Sequence, residues 1–210
     1  MTIQEILANL DNLYPDAHCE LNHSNSYQMA VAVILSAQTT DASVNKVTPR
    51  LFKKYPTIQK LAKGKIKDIE SCIASLGLYH NKAKMIQGFA DEVVERFNGK
   101  IPQTISELVT LPGVGRKCAN VILSECFNIP ALAVDTHVDR ISKRLKLANN
   151  SDTVEAVERK LKKKVPKERW IKTHHQMIFF GRYLCHSRNP ECERCPFTKD
   201  CRYFKKKVKA

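Results

Sequence analysis

The stretch 27-YQMAVAVILSA-37 is apolar nearly all round. A helix of that composition has no solvent face, so the remainder of the chain must pack around it, and amphipathic helices can do so. The sequence supplies them. Thr2 and Glu5 form a capping-box pattern, with Ile3, Ile6, Leu7 and Leu10 on one helical face. Asp41 is placed to cap a helix carrying Val44, Val47 and Leu51, and Ile66, Ile69, Ile73 and Leu76 mark another that Gly77 is expected to end. A longer helix is expected over about 81–97, with Met85, Ile86, Phe89, Val93 and Phe97 on one side and Gly99 ending it. Thr104 and Glu107 make a second capping box for a short helix running to Leu111, and after a glycine turn a further helix runs from Arg116 to about Phe127. Beyond Pro130 the pattern restarts near 136–147, 153–165 and 168–184. Period-two alternation is nowhere sustained, so the chain reads as all-α, with an irregular, cysteine-rich tail over the last 26 residues.

With 210 residues, 43 % of them hydrophobic, and no Gly/Ser- or Pro-rich linker, the chain can bury a real core, and any second domain must pack closely on the first. Its charge of +14 is lopsided. Residues 1–110 hold 12 basic and 11 acidic side chains, whereas residues 111–210 hold 23 and 10. Such a half usually meets a polyanion, most commonly nucleic acid. The run 160-KLKKKVPK-167 taken alone reads as a solvated lysine face. The N-terminal MTIQEILANLDN is unlike a signal peptide, and no apolar run approaches the ~20 residues needed to cross a bilayer. We therefore expect no membrane association and a cytoplasmic protein. Disulfides rarely persist there, so the eight cysteines need another explanation.

Four of them supply one. The tail 185-CHSRNPECERCPFTKDC-201 has the spacing C-x6-C-x2-C-x5-C, and four thiols so close can surround one metal centre. Structural zinc and a 4Fe-4S cluster are both open on spacing alone. Arg188, Arg194, Lys199 and Arg202, interleaved with the thiols, would form a phosphate-binding surface on the ordered loop. Cys19, Cys72, Cys118 and Cys126 are scattered and read as small buried hydrophobes.

In 111-LPGVGRKCANVIL-123 a turn with Gly113 and Gly115 opens into a helix. Backbone amides at such a turn, with the positive end of the helix dipole, can grip a phosphate; the glycines could equally serve only the sharp turn. Lys117 is then either another phosphate clamp or an amine used for chemistry. Chemistry demands the neutral form, which an ordinary lysine adopts in only about one molecule in 2,500 at pH 7, so a desolvated setting at a helix N-terminus is required. Downstream, in 132-LAVDTHVDRISKRL-145, Asp135 heads a helix as a cap or a catalytic carboxylate, and His137 reads as a packing or hydrogen-bonding residue.

These motifs, together with 35-LSAQTTDASVNKVTP-49, 76-LGLYHNKA-83 and 174-HHQMIFFGR-182, resemble in order and nearly throughout the chain the endonuclease III family of helix-hairpin-helix, iron–sulfur DNA glycosylases. The resemblance implies two helical domains flanking a DNA-binding cleft: a barrel domain over 20–129 containing the helix-hairpin-helix at about 104–127, and a cluster domain formed by 1–19 with 130–210. It implies Lys117 as nucleophile and Asp135 as its carboxylate partner, facing each other across that cleft. Gln38 would fill the hole left by an extruded nucleotide, Leu78 would wedge the opposite strand, and Leu111, Gly113, Val114, Gly115 and Arg116 would hold DNA. Cys185, Cys192, Cys195 and Cys201 would ligate a 4Fe-4S cluster. Without the family, Gln38 reads as a polar helix end and Leu78 as a core leucine beside a cap. Asp139 and Cys118 depart from the family pattern, which often has an aromatic residue and a threonine there, and they bear on base preference more than on reaction type.

The implied activity is that of a bifunctional DNA glycosylase and abasic-site lyase of base excision repair, removing oxidised pyrimidines from duplex DNA by base flipping, lysine attack at C1′, a Schiff base and β-elimination. The expected partner is duplex DNA with damaged bases or abasic sites, bound by a monomer associated with the nucleoid. A related adenine glycosylase specific for mismatches lacks the hairpin lysine and carries an extra domain for which this chain has no room. The remaining alternatives are a pyrimidine-dimer glycosylase of the same superfamily and a non-catalytic iron–sulfur DNA-binding sensor.

Overall fold

The computed structural model describes residues 1–208, and every regular element among them is helical. Helix α1 (Ile3–Leu13) opens the chain. Next come α2 (Ser26–Leu35), α3 (Asp41–Lys54), α4 (Ile58–Ala62), α5 (Ile66–Ile73), α6 (Tyr79–Phe97), α7 (Ile105–Leu108) and α8 (Arg116–Phe127). Helices α9 (Thr136–Arg144), α10 (Val154–Lys164), α11 (Trp170–Tyr183) and α12 (Arg202–Lys207) follow. The chain divides into two units, one spanning Glu20–Ile129 and the other combining Met1–Cys19 with Pro130–Ala210.

In the first of these, α2 is the central helix. Every side chain from Met29 to Leu35 is buried, as an all-round apolar composition requires, and α3, α6 and α8 pack against it. The capping differs from expectation at α3. Thr40, not Asp41, is the cap: its hydroxyl accepts from the Ser43 amide at 3.2 Å, and Asp41 becomes the first helical residue, where its charge favours the helix N-terminus. Helix α4 has no counterpart in the sequence reading, because five residues are too few to display a helical period. It packs on α6.

Gly77 does not cap α5. That helix ends at Ile73, Gly77 has no positive φ, and the left-handed residue is Leu78, with φ 59° and ψ 30°, from which α6 starts two residues earlier than expected. The far end of α6 is capped by left-handed Asn98, with Gly99 also at positive φ. Helix α7 is shorter than expected. It stops at Leu108, and Thr110 turns its hydroxyl back to the Glu107 carbonyl at 2.7 Å.

In the second unit α1 packs on α11, and α9 packs on α10, α11 and α12. The Thr2–Glu5 capping box forms at α1, which buries Ile6, Leu7 and Leu10. Ile6 and Leu10 join Val138, Ile141, Leu161, Met177 and Phe180 in the core, and Phe197 from the tail stacks edge-on against Phe180 at 5.2 Å. Asp11 receives Arg169 at 2.9 Å and Lys172 at 3.0 Å, tying α1 to the start of α11. The lysine run on α10 is partly occupied at home, with Lys160 bound to Asp152 and Lys162 to Glu158, each at 2.6 Å. The tail is irregular only up to Cys201, since α12 follows it. Among the described residues no helix is long and apolar enough to cross a membrane.

Candidate active site

The hairpin turn is fixed from beneath. Gly113 has φ +75°, and a Cβ there would lie 2.8 Å from Ile34 Cγ2 and 3.2 Å from Met85 Cβ, so glycine is required both by backbone angle and by the approach to α2 and α6. Leu111 and Val114 are buried, hence only their backbone can touch a ligand. Gly115 is different. It is exposed, a Cβ there would meet nothing within 4 Å, and it starts α8 without any side-chain cap. The first turn of α8 thus points backbone amides, which lack partners inside the helix, toward an open face. Arg116 is exposed on that turn and Lys117, next along it, is half-buried.

Two further predicted positions lie on turns of the same unit. Gln38 is exposed in the turn between α2 and α3 at φ 54°, and Leu78 is 62 % exposed at φ 59°. Leu78 is therefore not a core leucine. A bulky side chain held outward in the left-handed region is strained as well as hydrated, an arrangement that points to use. The sequence reading also missed Lys82, which is 3 % exposed and whose ammonium donates to the Thr39 hydroxyl. A signal was present, because Lys82 stands four residues before Ile86 in the buried stripe of α6.

In the other unit Asp135 caps α9. Its Oδ1 accepts from the amides of His137 at 2.9 Å and Val138 at 2.8 Å, and Oδ2 lies 3.1 Å from His137 Nδ1. Burial pushes the Asp135 carboxyl up, but the His137 and Val138 hydrogen bonds and the positive field of His174 and His137 outweigh it, holding the carboxyl well below the usual carboxylate range. His137 has room because residue 181 is glycine: a Cβ there would come within 2.8 Å of His137 Cβ. His174, buried on α11, shares a hydrogen bond with the Ala133 carbonyl at 2.9 Å and so braces the segment leading into Asp135.

Helix α9 also carries the arginines that organise the cysteine tail. Arg140 donates to the carbonyls of Gly181 and Cys185, each at 3.0 Å, and Arg144 donates to Cys185 Sγ at 3.1 Å and to the His186 carbonyl at 2.8 Å. All four tail cysteines, with Arg144 and Tyr203, line one small cavity. Burial pushes the Cys195 thiol up to about 11 and raises Cys185 as well. Among the described residues no group of three or more His, Cys, Asp or Glu is arranged to hold a metal ion. Of the basic residues expected on this loop, Arg202 is turned inward to the carbonyls of Ala148 at 2.7 Å and Lys143 at 3.3 Å, because the ends of α9 and its following loop leave acceptors there. Arg194 pairs with Glu191 at 2.8 Å.

An all-helical fold, a glycine hairpin and a helix-capping aspartate define the class. Residues 31–167 match the HhH-GPD superfamily of base excision DNA repair proteins. The chain is 48 % identical over 207 residues to endonuclease III of Bacillus subtilis (strain 168), an alignment covering 99 % of this chain and 94 % of the relative. It is 40 % identical over 202 residues to endonuclease III of Escherichia coli (strain K12), covering 96 % and 95 % respectively. A solved trapped endonuclease III–DNA covalent intermediate superposes with a TM-score of 0.95 at 49 % identity, covering 99 % of each chain. The chain belongs to the endonuclease III family. It is accordingly an enzyme of base excision repair, a DNA glycosylase with abasic-site lyase activity.

Proposed function

We propose that the enzyme removes oxidised pyrimidines from duplex DNA, as a monomer in the cytoplasm acting on the nucleoid, and that Lys117 is its nucleophile. One observation carries this reading: Lys117 is a half-buried residue in the first turn of a helix that starts without a side-chain cap, beside the open face where a DNA backbone can be received. The backbone amides at Gly115 and Arg116, at a helix start without a side-chain cap from residue 115, hold phosphate, and the buried Leu111 and Val114 with Gly113 fix the turn that presents them.

The target atom is inaccessible inside a duplex, so the damaged nucleotide is extruded first, with Gln38 filling its place and Leu78 wedging the opposite strand. Lys117 Nζ then bonds to C1′ as the glycosidic bond breaks, and the base leaves with the bonding pair. Loss of the amine proton and opening of the sugar ring give an imine. Removal of a C2′ proton breaks the C3′–O bond, cutting the strand on the 3′ side. Positive charge develops at C1′ as the base departs, and a carboxylate lowers its energy. Asp135, held strongly ionised, suits that electrostatic role better than the role of proton carrier.

Cys185, Cys192, Cys195 and Cys201 are proposed to hold a 4Fe-4S cluster. The four cysteines lining one shared cavity support this reading, since four thiolates are the ligand set of such a cluster. When bound, it cross-links the tail and orders the loop that carries Arg188, Arg194 and Lys199. The functional test is digestion of duplexes bearing one thymine glycol, one abasic site or one pyrimidine dimer. Wild-type protein should cut the first two, and Lys117→Ala should cut neither; cleavage of the dimer alone would overturn the substrate class.

A further inference from the structure

Lys82 lies on α6 in line with Ile86 and Phe89 and is 3 % exposed. An ammonium there is costly, and burial pushes its pKa down; a methionine would fill the same place without that cost. Its value must lie in what it binds. The Lys82 ammonium donates to Thr39 Oγ1, and the Thr39 hydroxyl donates onward to the Ala37 carbonyl at 3.4 Å, so the pair of bonds straddles Gln38. The Lys82 backbone amide donates to the Leu78 carbonyl at 3.0 Å. One residue therefore reaches both turns whose tips, Gln38 and Leu78, are held exposed in left-handed backbone.

We infer that Lys82 is a positioning residue which, through Thr39, couples the Gln38 turn to the Leu78 turn so that both side chains enter DNA as one preorganised pair. The inference rests on the reading of Gln38 and Leu78 as plug and wedge proposed above. A charged donor holds a turn more firmly than a neutral one, and two plugs fixed beforehand lose less freedom on insertion. Left-handed conformations at both tips persist only where the surroundings over-determine them, and the Lys82–Thr39 bond is such a restraint.

The test compares Lys82→Met, Thr39→Val, their double variant and Thr39→Ser with Gln38→Ala and Leu78→Ala. Each is assayed on a damaged-base duplex and on an abasic single strand, which has no opposite strand to wedge and no stacked base to extrude. Lys82→Met and Thr39→Val should each slow excision from the duplex by about tenfold, the loss of a hydrogen bond to a charged group. The double variant should be no slower than either, Thr39→Ser should recover the rate, and single-strand cleavage by the Lys82 and Thr39 variants should stay at the wild-type rate. Wild-type duplex rates for Thr39→Val, multiplicative losses in the double variant, or equal losses on both substrates with a lowered Tm would overturn the coupling. Thr39 is half-buried in an otherwise exposed turn, so its variants report even where Lys82→Met folds poorly. If Gln38→Ala and Leu78→Ala excise normally from the duplex, the plug reading has failed and the coupling with it. If they are slow while Lys82→Met and Thr39→Val are not, only the coupling has failed.

Discussion

Asp135 caps α9 with one carboxylate oxygen and meets the His137 ring with the other. Capping and catalysis are therefore not rival roles for this residue, since the amides that it caps also keep it ionised. Asparagine is as good a cap as aspartate, so Asp135→Asn removes the charge and leaves the helix start in place. We expect this variant to lose roughly a hundred- to a thousandfold in excision of a damaged base, and less on an abasic site, where no base has to depart. The pH dependence follows from the same bonds. A carboxyl whose folded pKa lies below its unfolded value of ~3.9 contributes stability above that value and loses it as pH falls through the folded one. The excision rate should thus show no acid limb due to Asp135 above about pH 4. A limb nearer neutrality in wild type that vanishes in Asp135→Asn would contradict the assignment.

The turn before α6 sets the proposed wedge role of Leu78 against stability. Leu78 stands in the left-handed region where glycine is at ease, while its neighbour Gly77 does not use that freedom. Leu78→Gly should therefore melt no lower than wild type, and relief of the strain is worth about 1 kcal/mol before the entropy of the new glycine is subtracted. Its excision from duplex DNA should fall as far as that of Leu78→Ala. A glycine variant that melts lower and excises normally would show that the leucine serves the fold alone. The same turn marks the limit of what was legible in the sequence. Helix starts written as local chemistry, such as Thr2 with Glu5 or the glycine ahead of Arg116, could be read directly, and α8 runs over the residues expected. Gly77 misled because left-handed strain at Leu78 is decided by the packing of α6, not by residue type. The Lys82–Thr39 bond spans 43 positions, and His174 reaches Ala133 across 41, distances over which no periodicity or spacing speaks.

For the whole molecule the charge is concentrated beyond residue 110, where 23 basic side chains face 10 acidic ones. Part of that excess is spent internally by Lys160, Lys162, Arg140, Arg144 and Arg202, which leaves the hairpin amides and fewer exposed cations to meet phosphates. If about five phosphates are neutralised, log K for an abasic-analogue duplex should fall against log salt with a slope near −4.5. A slope near zero would remove DNA-backbone contact from the account. The central claim is that one amine, Lys117, both releases the base and opens the strand. It is tested most directly by reducing the wild-type protein on abasic duplex with borohydride, digesting the trapped adduct and locating the modified residue by mass spectrometry. One modified peptide, carrying the sugar on Lys117, is expected; a sugar found on any other lysine or on the N-terminal amine would overturn the assignment of the nucleophile.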